Sequence, residues 1–447
     1  MNELPVVVVG AGPSGLAAAA HLLERGLEPL VLEAGPAAGA AVTQWRHVRL
    51  FSPWAELVDP AAERLLTRTG WARPDGEAYP TGGEWVTSYL APLARALDGR
   101  VRFGARVVGV ARRGRDRLVD AGRGTEPLTV HVATADGAES RILARAVVDA
   151  SGTWGSPNPL GGDGLPAIGE RAAADRITHR VPDLGDEDVA ARYAGRHVVV
   201  AGSGHSAQTA LIVLTALAER APGTRVTWLL RRGTVGDVFG GGADDQLPAR
   251  GALGLRARAA VEAGHVRVVR GFRTAEVRRS DDGRLTLVSD DGVQVGEVDE
   301  VVALTGFRPD LSWLSEVRLQ LDPVLQAPVA LAPLIDPNVH SCGTVPPHGV
   351  AELTHPEPDV YVAGIKSYGR APTFLTMTGY EQVRSIAAKL AGDDEAAARV
   401  ELTLPETGVC GGAGGFDGTS FDGTRLDAAA PPAGAVIVPL LGSVDSR

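Results

Sequence analysis

The sequence predicts an α/β protein made of two units of the same architecture, with the second unit nested inside the first. In each unit an apolar strand runs directly into a glycine-rich turn and then into a helix. An antiparallel β-meander follows, and each unit closes with a strand that ends in a turn of small residues. This order of elements occurs twice, which indicates two domains of one fold.

The first unit opens with a strand and a turn that fit a dinucleotide. Residues 5–9 are a run of Pro and four Val without polar alternation, which predicts a buried strand. The three glycines that follow have G-x-G-x-x-G spacing, which allows a tight turn, close approach to a pyrophosphate and close packing of a helix on the strand. The next strand ends on a carboxylate able to bind both ribose hydroxyls. The predicted cofactor-binding residues here are Gly10, Gly12, Pro13, Ser14, Gly15 and Glu33.

The second unit repeats the pattern with different chemistry at the end of its second strand. Residues 198–201 predict a buried strand, and the glycine turn after it carries Ala207 in the third position, which the pattern allows. Two arginines stand where the first unit has its carboxylate. A guanidinium pair fits a 2′-phosphate, so the sequence predicts NADP rather than NAD, with a solvated basic turn as the alternative. The predicted residues are Gly202, Gly204, His205, Ser206, Arg231 and Arg232.

These patterns predict two Rossmann-like dinucleotide-binding domains, each with an antiparallel β-meander insertion. Residues 1–170 form the first part of one domain, residues 190–306 form the nested domain, and residues 307–400 return to the first. The return supplies a strand near residues 360–364 and a closing helix. Residues 405–447 are rich in Gly, Ala and Pro, which predicts a flexible tail.

Composition limits which binding partners and which cellular compartment we expect for this protein. Hydrophobic residues make up 44% and charged residues 22% of the 447, as in ordinary globular proteins, and the net charge of −10 disfavours nucleic acid and anionic membranes. Cys342 and Cys410 are the only cysteines, too few for a disulfide scaffold, and they do not form C-x-x-C. No basic leader or membrane-length apolar run is present, so we expect a cytoplasmic protein, with a homo-oligomer left open.

The motifs together identify a family resemblance that covers about residues 4–395. The chain resembles the two-dinucleotide-binding-domain flavoproteins and, within them, the flavin-containing (class B) monooxygenases. The resemblance is carried by the two glycine turns, by the paired small-residue turns at residues 148–152 and 304–306, and by the pattern around residues 45–53 and 80–89. It implies FAD in the first site and NADPH in the second, with Gly152, Gly306 and Gly364 also beside the cofactors.

The resemblance also suggests where catalysis takes place. Lys366, one of only two lysines, lies where the returning chain should reach the flavin ring, where a cation would stabilise the reduced flavin; a surface lysine is the alternative. His340 and Cys342 lie in a loop, residues 335–349, that either contacts substrate and flavin or contains a packed thiol and turn histidines. No convincing third or fourth ligand accompanies them, so we predict no metal site.

The implied activity is an NADPH-dependent oxidoreductase that uses FAD. We expect a monooxygenase that adds oxygen at flavin C4a and transfers it to a nitrogen, sulfur or ketone centre of a small molecule. The alternative is a reductase or oxidase that passes electrons to a quinone, a disulfide or a thiol-reactive metalloid. The monooxygenase fingerprint F-x-G-x-x-x-H is not recognisable, which favours the alternative. The missing C-x-x-C counts against its dithiol versions. Gly364 is followed by Ile365 rather than by Asp, which leaves the FAD ribityl chain without an obvious partner.

Overall fold

The computed structural model describes residues 4–231, 236–240, 242, 245, 247–339, 345–372 and 374–402. Four residues singled out from the sequence therefore lie outside the described residues: Arg232, His340, Cys342 and Cys410. The tail predicted at residues 405–447 lies outside them as well.

The elements follow the predicted repeat. The strands are β1 (Val6–Val9), β2 (Pro29–Leu32), β3 (Val101–Arg102), β4 (Ala105–Arg112), β5 (Leu128–Thr134), β6 (Glu139–Ala144), β7 (Ala146–Asp149), β8 (Ile177–Thr178), β9 (His197–Ala201), β10 (Arg225–Leu230), β11 (Val266–Arg270), β12 (Thr274–Arg279), β13 (Leu285–Ser289), β14 (Gln294–Val298), β15 (Glu300–Ala303) and β16 (Val360–Val362). The α-helices are α1 (Pro13–Glu24), α2 (Ala40–Thr43), α3 (Trp54–Leu57), α4 (Pro60–Thr67), α5 (Gly82–Trp85), α6 (Ala91–Ala96), α7 (Glu187–Tyr193), α8 (His205–Arg220), α9 (Pro248–Glu262), α10 (Ala332–Ile335), α11 (Thr376–Leu390) and α12 (Asp394–Ala398). A π-helical turn, Val86–Leu90, joins α5 to α6, and 3₁₀ turns cover Arg171–Arg176, Gly236–Phe239, Ser312–Leu314 and Gly364–Tyr368.

The first domain contains a five-stranded parallel sheet in the order β16-β7-β1-β2-β3. Helices α1 and α11 contribute to the core on one face, and the meander β4-β5-β6 contributes to the core on the other. Because both faces are covered, β1 reads as an unbroken run of Val. The sheet combines strands from both ends of the described chain, which confirms the nested arrangement.

The second domain repeats this plan between the two parts of the first. Its parallel sheet has the order β11-β10-β9-β15-β8, with α8 and α9 packed on one face and the meander β12-β13-β14 on the other. The α/β class with two Rossmann-like sheets and two meander insertions is therefore confirmed. No helix of the described residues is long and apolar enough to cross a bilayer.

The predicted strand at residues 141–148 is two strands, and this is a correction. Residues up to Ala144 pair within the meander, whereas those from Ala146 pair with β1 in the parallel sheet. Arg145 separates them: its backbone N–H donates to Pro5 O and its guanidinium donates to Leu390 O. One run of mostly apolar residues therefore serves two sheets, and the sequence pattern alone does not show where one strand ends and the next begins.

A buried ion triple joins the first meander to the segment that precedes β16. Arg112 Nε donates to one oxygen of Glu357 at 2.9 Å and Arg123 Nε donates to the other at 2.8 Å. Burial opposes ionisation of Glu357, but the hydrogen bonds from Arg123 and Arg112 outweigh it and lower the pKa of this carboxyl. The ionised carboxylate thus ties chain segments that are far apart in sequence.

We expect Glu357→Gln to lower the free energy of unfolding by about 3 kcal/mol at pH 7, because two buried guanidinium groups lose their shared anion. A carboxyl with a lowered pKa in the folded state stabilises above its unfolded pKa, so the deficit should shrink as the pH falls below about 4. Urea titrations of both proteins between pH 3 and pH 8 measure this. Glu139→Gln, on exposed β6, is the matched control and should change little. An equal deficit at every pH would contradict the ionic role of Glu357.

Candidate functional site

The first glycine turn leaves space for a ligand at one position and none at the other two. Gly10 has φ +99°, and a Cβ atom there would lie 2.8 Å from the carbonyl oxygen of Ala150. A Cβ atom at Gly15 would lie 1.9 Å from Gly10 O. In the described part of the chain, no atom lies within 4 Å of the Cβ position of Gly12. The turn therefore packs closely against its own chain but presents an open backbone at Gly12, which fits a pyrophosphate.

Helix α1 starts at this open position. Gly12 is its N-cap residue and no side chain caps it, so backbone N–H groups of the first turn remain available for a phosphate. Ser14 lies against two glycines of the returning chain: a Cβ atom at Gly364 or at Gly379 would lie 2.8 Å or 2.7 Å from Ser14 Oγ. The returning chain thus comes close to the start of α1 only because these two positions lack side chains.

The carboxylate predicted to bind ribose is held by the backbone of the same turn. Glu33 Oε2 accepts a hydrogen bond from Ala11 N and Oε1 accepts one from Gly35 N, both at 2.7 Å. Each oxygen has further lone pairs, so the half-buried carboxylate can also accept hydroxyl hydrogen bonds. These contacts fit the predicted role in FAD binding.

The second glycine turn has the same distribution of space. Gly202 has φ +126°, and a Cβ atom there would lie 2.2 Å from Leu304 O, whereas the Cβ position of Gly204 is open to 4 Å. Helix α8 begins at His205 without a side-chain cap, and Ser206 is exposed beside it. Arg231 is exposed directly after β10, the position that corresponds to Glu33 after β2. The turn fits a second dinucleotide, and the role of Arg231 in binding the 2′-phosphate of NADPH stays a prediction.

His205 contacts a residue of the other domain. Its ring centroid lies 5.2 Å from that of Phe51, a residue of the first domain. Burial and the charge of Arg250 lower the pKa of His205 to about 4, so the imidazole is neutral at pH 7. His205 therefore acts as an aromatic contact at the start of α8 and supplies no positive charge to a phosphate.

The two small-residue turns lie at the ends of β7 and β15. Gly152 has φ +69° and Gly306 has φ +87°, conformations that favour glycine. Gly364 also has a positive φ, +67°, and begins the 3₁₀ turn that approaches Ser14. The Cβ position of Gly152 is 4.0 Å from Ile365, which places the first small-residue turn beside this 3₁₀ turn.

Lys366 is buried, so the surface-lysine alternative is wrong. Its Nζ lies 2.7 Å from Asp149 Oδ2 and donates to Ser151 Oγ at 3.0 Å, and it sits 4.8 Å from the centroid of the Trp313 ring. Only 2% of the residue is exposed. Asp149 compensates the charge of Lys366. The sequence analysis did not identify Asp149 as a site residue. The available signal was an acid at the last position of a buried strand, directly before a small-residue turn.

Ser151 completes this cluster. Its hydroxyl donates to Asp149 Oδ1 at 2.6 Å while accepting from Lys366, so both of its roles are fixed. Ser151 is exposed although its two partners are buried. The cluster of Asp149, Ser151 and Lys366 thus forms a rigid polar edge next to the first glycine turn.

His348 belongs to a structural network. Its Nδ1–H donates to Pro346 O at 3.1 Å and its Nε2 accepts from Gln382 at 2.9 Å. Gln382 also donates to Ser367 and accepts from Gly364 N, which links the network to the 3₁₀ turn. Burial lowers the pKa of His348, so the ring is neutral. No group of three His, Cys, Asp or Glu that could hold a metal occurs within the described ranges.

We expect Lys366→Met to lower the free energy of unfolding by about 3 kcal/mol, because the buried carboxylate of Asp149 loses its counter-charge. The double variant Lys366→Met/Asp149→Asn should recover part of that loss, since no unpaired charge remains. Chemical denaturation, with the FAD content of each purified protein, measures both effects. Lys389→Met, which removes an exposed ion pair with Asp394, is the matched control. A double variant as unstable as the sum of both single variants would contradict the pairing.

The comparisons with known proteins agree with this geometry. The model of the pyridine nucleotide-disulphide oxidoreductase family matches residues 7–330. A ferredoxin–NADP reductase of Ignicoccus hospitalis is 28% identical, over 70% of this chain and 81% of its own. Indole-3-pyruvate monooxygenase YUCCA1 of Oryza sativa subsp. japonica is 37% identical over 30% of this chain and 33% of its own.

A solved structure gives the same fold. The bacillithiol disulfide reductase Bdr (YpdA) of Bacillus cereus superimposes with a TM-score of 0.64 and 22% identity, covering 88% of this chain and 99% of the other. The family match spans most of the two sheets and both glycine turns, and it confirms the predicted two-dinucleotide-binding-domain flavoprotein that uses FAD and NADPH. The chain belongs to the pyridine nucleotide-disulphide oxidoreductase family.

Proposed function

We propose that this protein is an NADPH-dependent flavin monooxygenase that oxygenates a nitrogen, sulfur or ketone centre of a small molecule. In the balanced reaction NADPH supplies a hydride, which carries two electrons, and solvent supplies one proton. One atom of O₂ enters the substrate, the other leaves as water, and NADP⁺ is formed. FAD, when bound, supplies the redox chemistry. The residues of this chain bind and orient the partners and exclude water.

The observation that carries the proposal is the contact between Phe51 and His205. It brings the start of α8, where the second dinucleotide would bind, directly against the first domain. A second contact supports the same closure: the ring of His47 donates from Nε2 to Val181 O at 3.1 Å and lies 3.6 Å from Asp183 Oδ2. A dinucleotide held between these surfaces would cover the flavin and exclude water, as oxygen transfer without loss of peroxide requires.

The described residues divide into binding and orienting roles in this proposal. Residues 10–15 and Glu33 bind FAD, and residues 202–206 with Arg231 bind NADPH. The exposed hydroxyl of Ser151, fixed by Asp149 and Lys366, orients the flavin at the edge of the first sheet. Since Asp149 compensates the charge of Lys366, the pair acts on the flavin as an oriented dipole rather than as a free cation. His340 and Cys342 remain proposed members of the site.

The second candidate function is that of a reductase or oxidase that passes electrons to a small acceptor. The similarity to a ferredoxin–NADP reductase, which extends over 70% of this chain, favours it. The absence of C-x-x-C from the sequence argues against an internal dithiol that carries electrons outward. The shorter similarity to a plant monooxygenase has the higher identity and favours oxygen transfer.

Rapid mixing distinguishes the two functions. The FAD-loaded protein is reduced with NADPH under anaerobic conditions, mixed with aerated buffer, and followed by its visible spectrum. We expect a persistent absorbing species, different from reduced and from oxidised flavin, because the closed junction protects it. Immediate return to oxidised flavin with stoichiometric hydrogen peroxide, both alone and with a panel of amines, thioethers and ketones, would favour the reductase or oxidase.

The cofactor assignment predicts a matched pair of variants. Gly12→Ala should reduce the FAD content of the purified protein, whereas Gly204→Ala should keep FAD and raise KM for NADPH about tenfold or more. Both glycines have φ near −80° and open Cβ positions, so neither change strains the protein, and each methyl group meets only the ligand. Absorbance at the flavin band and steady-state NADPH oxidation measure the two effects. Loss of FAD from both variants, or from neither, would contradict the assignment.

A further inference from the structure

Two arginines at the junction of the domains have no acidic partner among the residues that the structure describes. Arg308 lies two residues after Gly306, on the segment that leaves the nested domain. Arg370 follows the 3₁₀ turn Gly364–Tyr368 of the returning chain. Neither guanidinium forms an ion pair with a carboxylate of the described residues. Both segments carry positions that the sequence assigns to cofactor binding, so the two charges border the proposed active site.

Neutral groups fix the guanidinium of Arg308. Its Nε donates to Asn158 Oδ1 at 2.8 Å and its Nη2 donates to Gly164 O at 3.0 Å. Asn158 is held in turn, since its Nδ2 donates to Thr305 O at 3.0 Å. The half-buried side chain is therefore rigid, and its charge is solvated by dipoles without being neutralised.

Arg370, on the returning chain, is also held by a neutral group. Its Nε donates to the amide oxygen of Gln326 at 2.9 Å, which leaves both terminal nitrogens to the surroundings. Burial and the positive charge of Arg370 lower the pKa of Arg308, so the two groups act on each other as like charges. Arg112 and Arg123, by contrast, share the carboxylate of Glu357. No carboxylate of the described ranges pairs with Arg308 or Arg370, and a bound anion would reduce the repulsion between them.

The surroundings of Arg308 are aromatic. Trp154 and Phe307 stack with ring centroids 4.9 Å apart and an interplanar angle of 30°. Arg308 N donates to Ser156 O at 3.0 Å, so the guanidinium and the stacked rings belong to the same pair of segments. A ligand that reaches both features needs an apolar body and one negatively charged group.

We propose that Arg308 and Arg370 bind an oxyanion, a carboxylate or a phosphate, on an apolar small-molecule substrate. A guanidinium presents paired N–H donors that match the two oxygens of such a group. The phosphates of the two dinucleotides are assigned to the starts of α1 and α8, which leaves these arginines to the substrate. That the bound anion belongs to a substrate rests on the proposed function, whereas anion binding itself is measured without turnover.

The test is calorimetric titration of the FAD-loaded protein with benzoate, phenyl phosphate and the neutral benzamide. We expect at least one of the two anions to bind about tenfold or more tightly than benzamide, since hydrogen bonds to charged groups are the stronger ones. Arg370→Gln and Arg308→Gln should each lower the affinity for that anion about tenfold and leave benzamide unchanged. Arg370→Lys should retain part of the anion affinity. Arg220→Gln is the matched control, because Arg220 is exposed at the end of α8 and donates only to a backbone carbonyl.

Three outcomes would overturn the inference. The first is binding of both anions no tighter than that of benzamide, and the second is unchanged anion affinity in Arg370→Gln, whose exposed side chain can be replaced without loss of folding. The third is a variant that keeps anion affinity but loses FAD or raises KM for NADPH, which would assign the arginines to a cofactor phosphate. A protein that binds the anion but reacts with oxygen as an oxidase would refute the proposed function alone.

Discussion

The close approach of helix α1 to strand β1 is the constraint on which the rest of the site depends. It exists because Gly15 has no side chain where a Cβ atom would meet Gly10 O, and because Gly10 has none where it would meet Ala150. This packing sets the start of α1 against the end of β7, and so places Ser14 beside Gly364 and Gly379 of the returning chain. A side chain at any of these glycines would separate elements that the ligand must contact together.

The nested domain uses the same constraint at Gly202, where the chain passes Leu304. Two copies of one arrangement then differ in the residue after the second strand, Glu33 in one and Arg231 in the other. Phe51 and His205 form an aromatic contact between the two copies. A neutral His205 suits this place, because a charged ring would lose solvation at the contact. The two copies therefore share one backbone design, and the start of α8 in the second lies against the first domain.

Most of the fold and the cofactor turns could be predicted from the sequence, because runs of Val and glycine spacing act over a few residues. Strand β10 and both glycine turns lie where the pattern predicts them. The division at Arg145 could not be predicted, since strand pairing depends on partners far away in the chain. The ion pair of Lys366 with Asp149 was missed for the same reason: sheet register brings the ends of β7 and β16 together. Local patterns specify elements, and long-range register specifies which polar groups meet.

The buried charges of this chain show how the pairing of distant segments stabilises the fold. Lys366 is compensated by Asp149, and Glu357 is compensated by two arginines, each across a junction between distant segments. Burying an unpaired charge is costly, so these pairs also select the correct assembly of the segments. Arg308 and Arg370 lie on two such segments, and in the described part of the chain their side chains donate only to neutral acceptors. Because the groups that hold both guanidinium groups in the described part of the chain are neutral acceptors, an anionic substrate bound at the proposed site would supply the counter-charge that these residues do not.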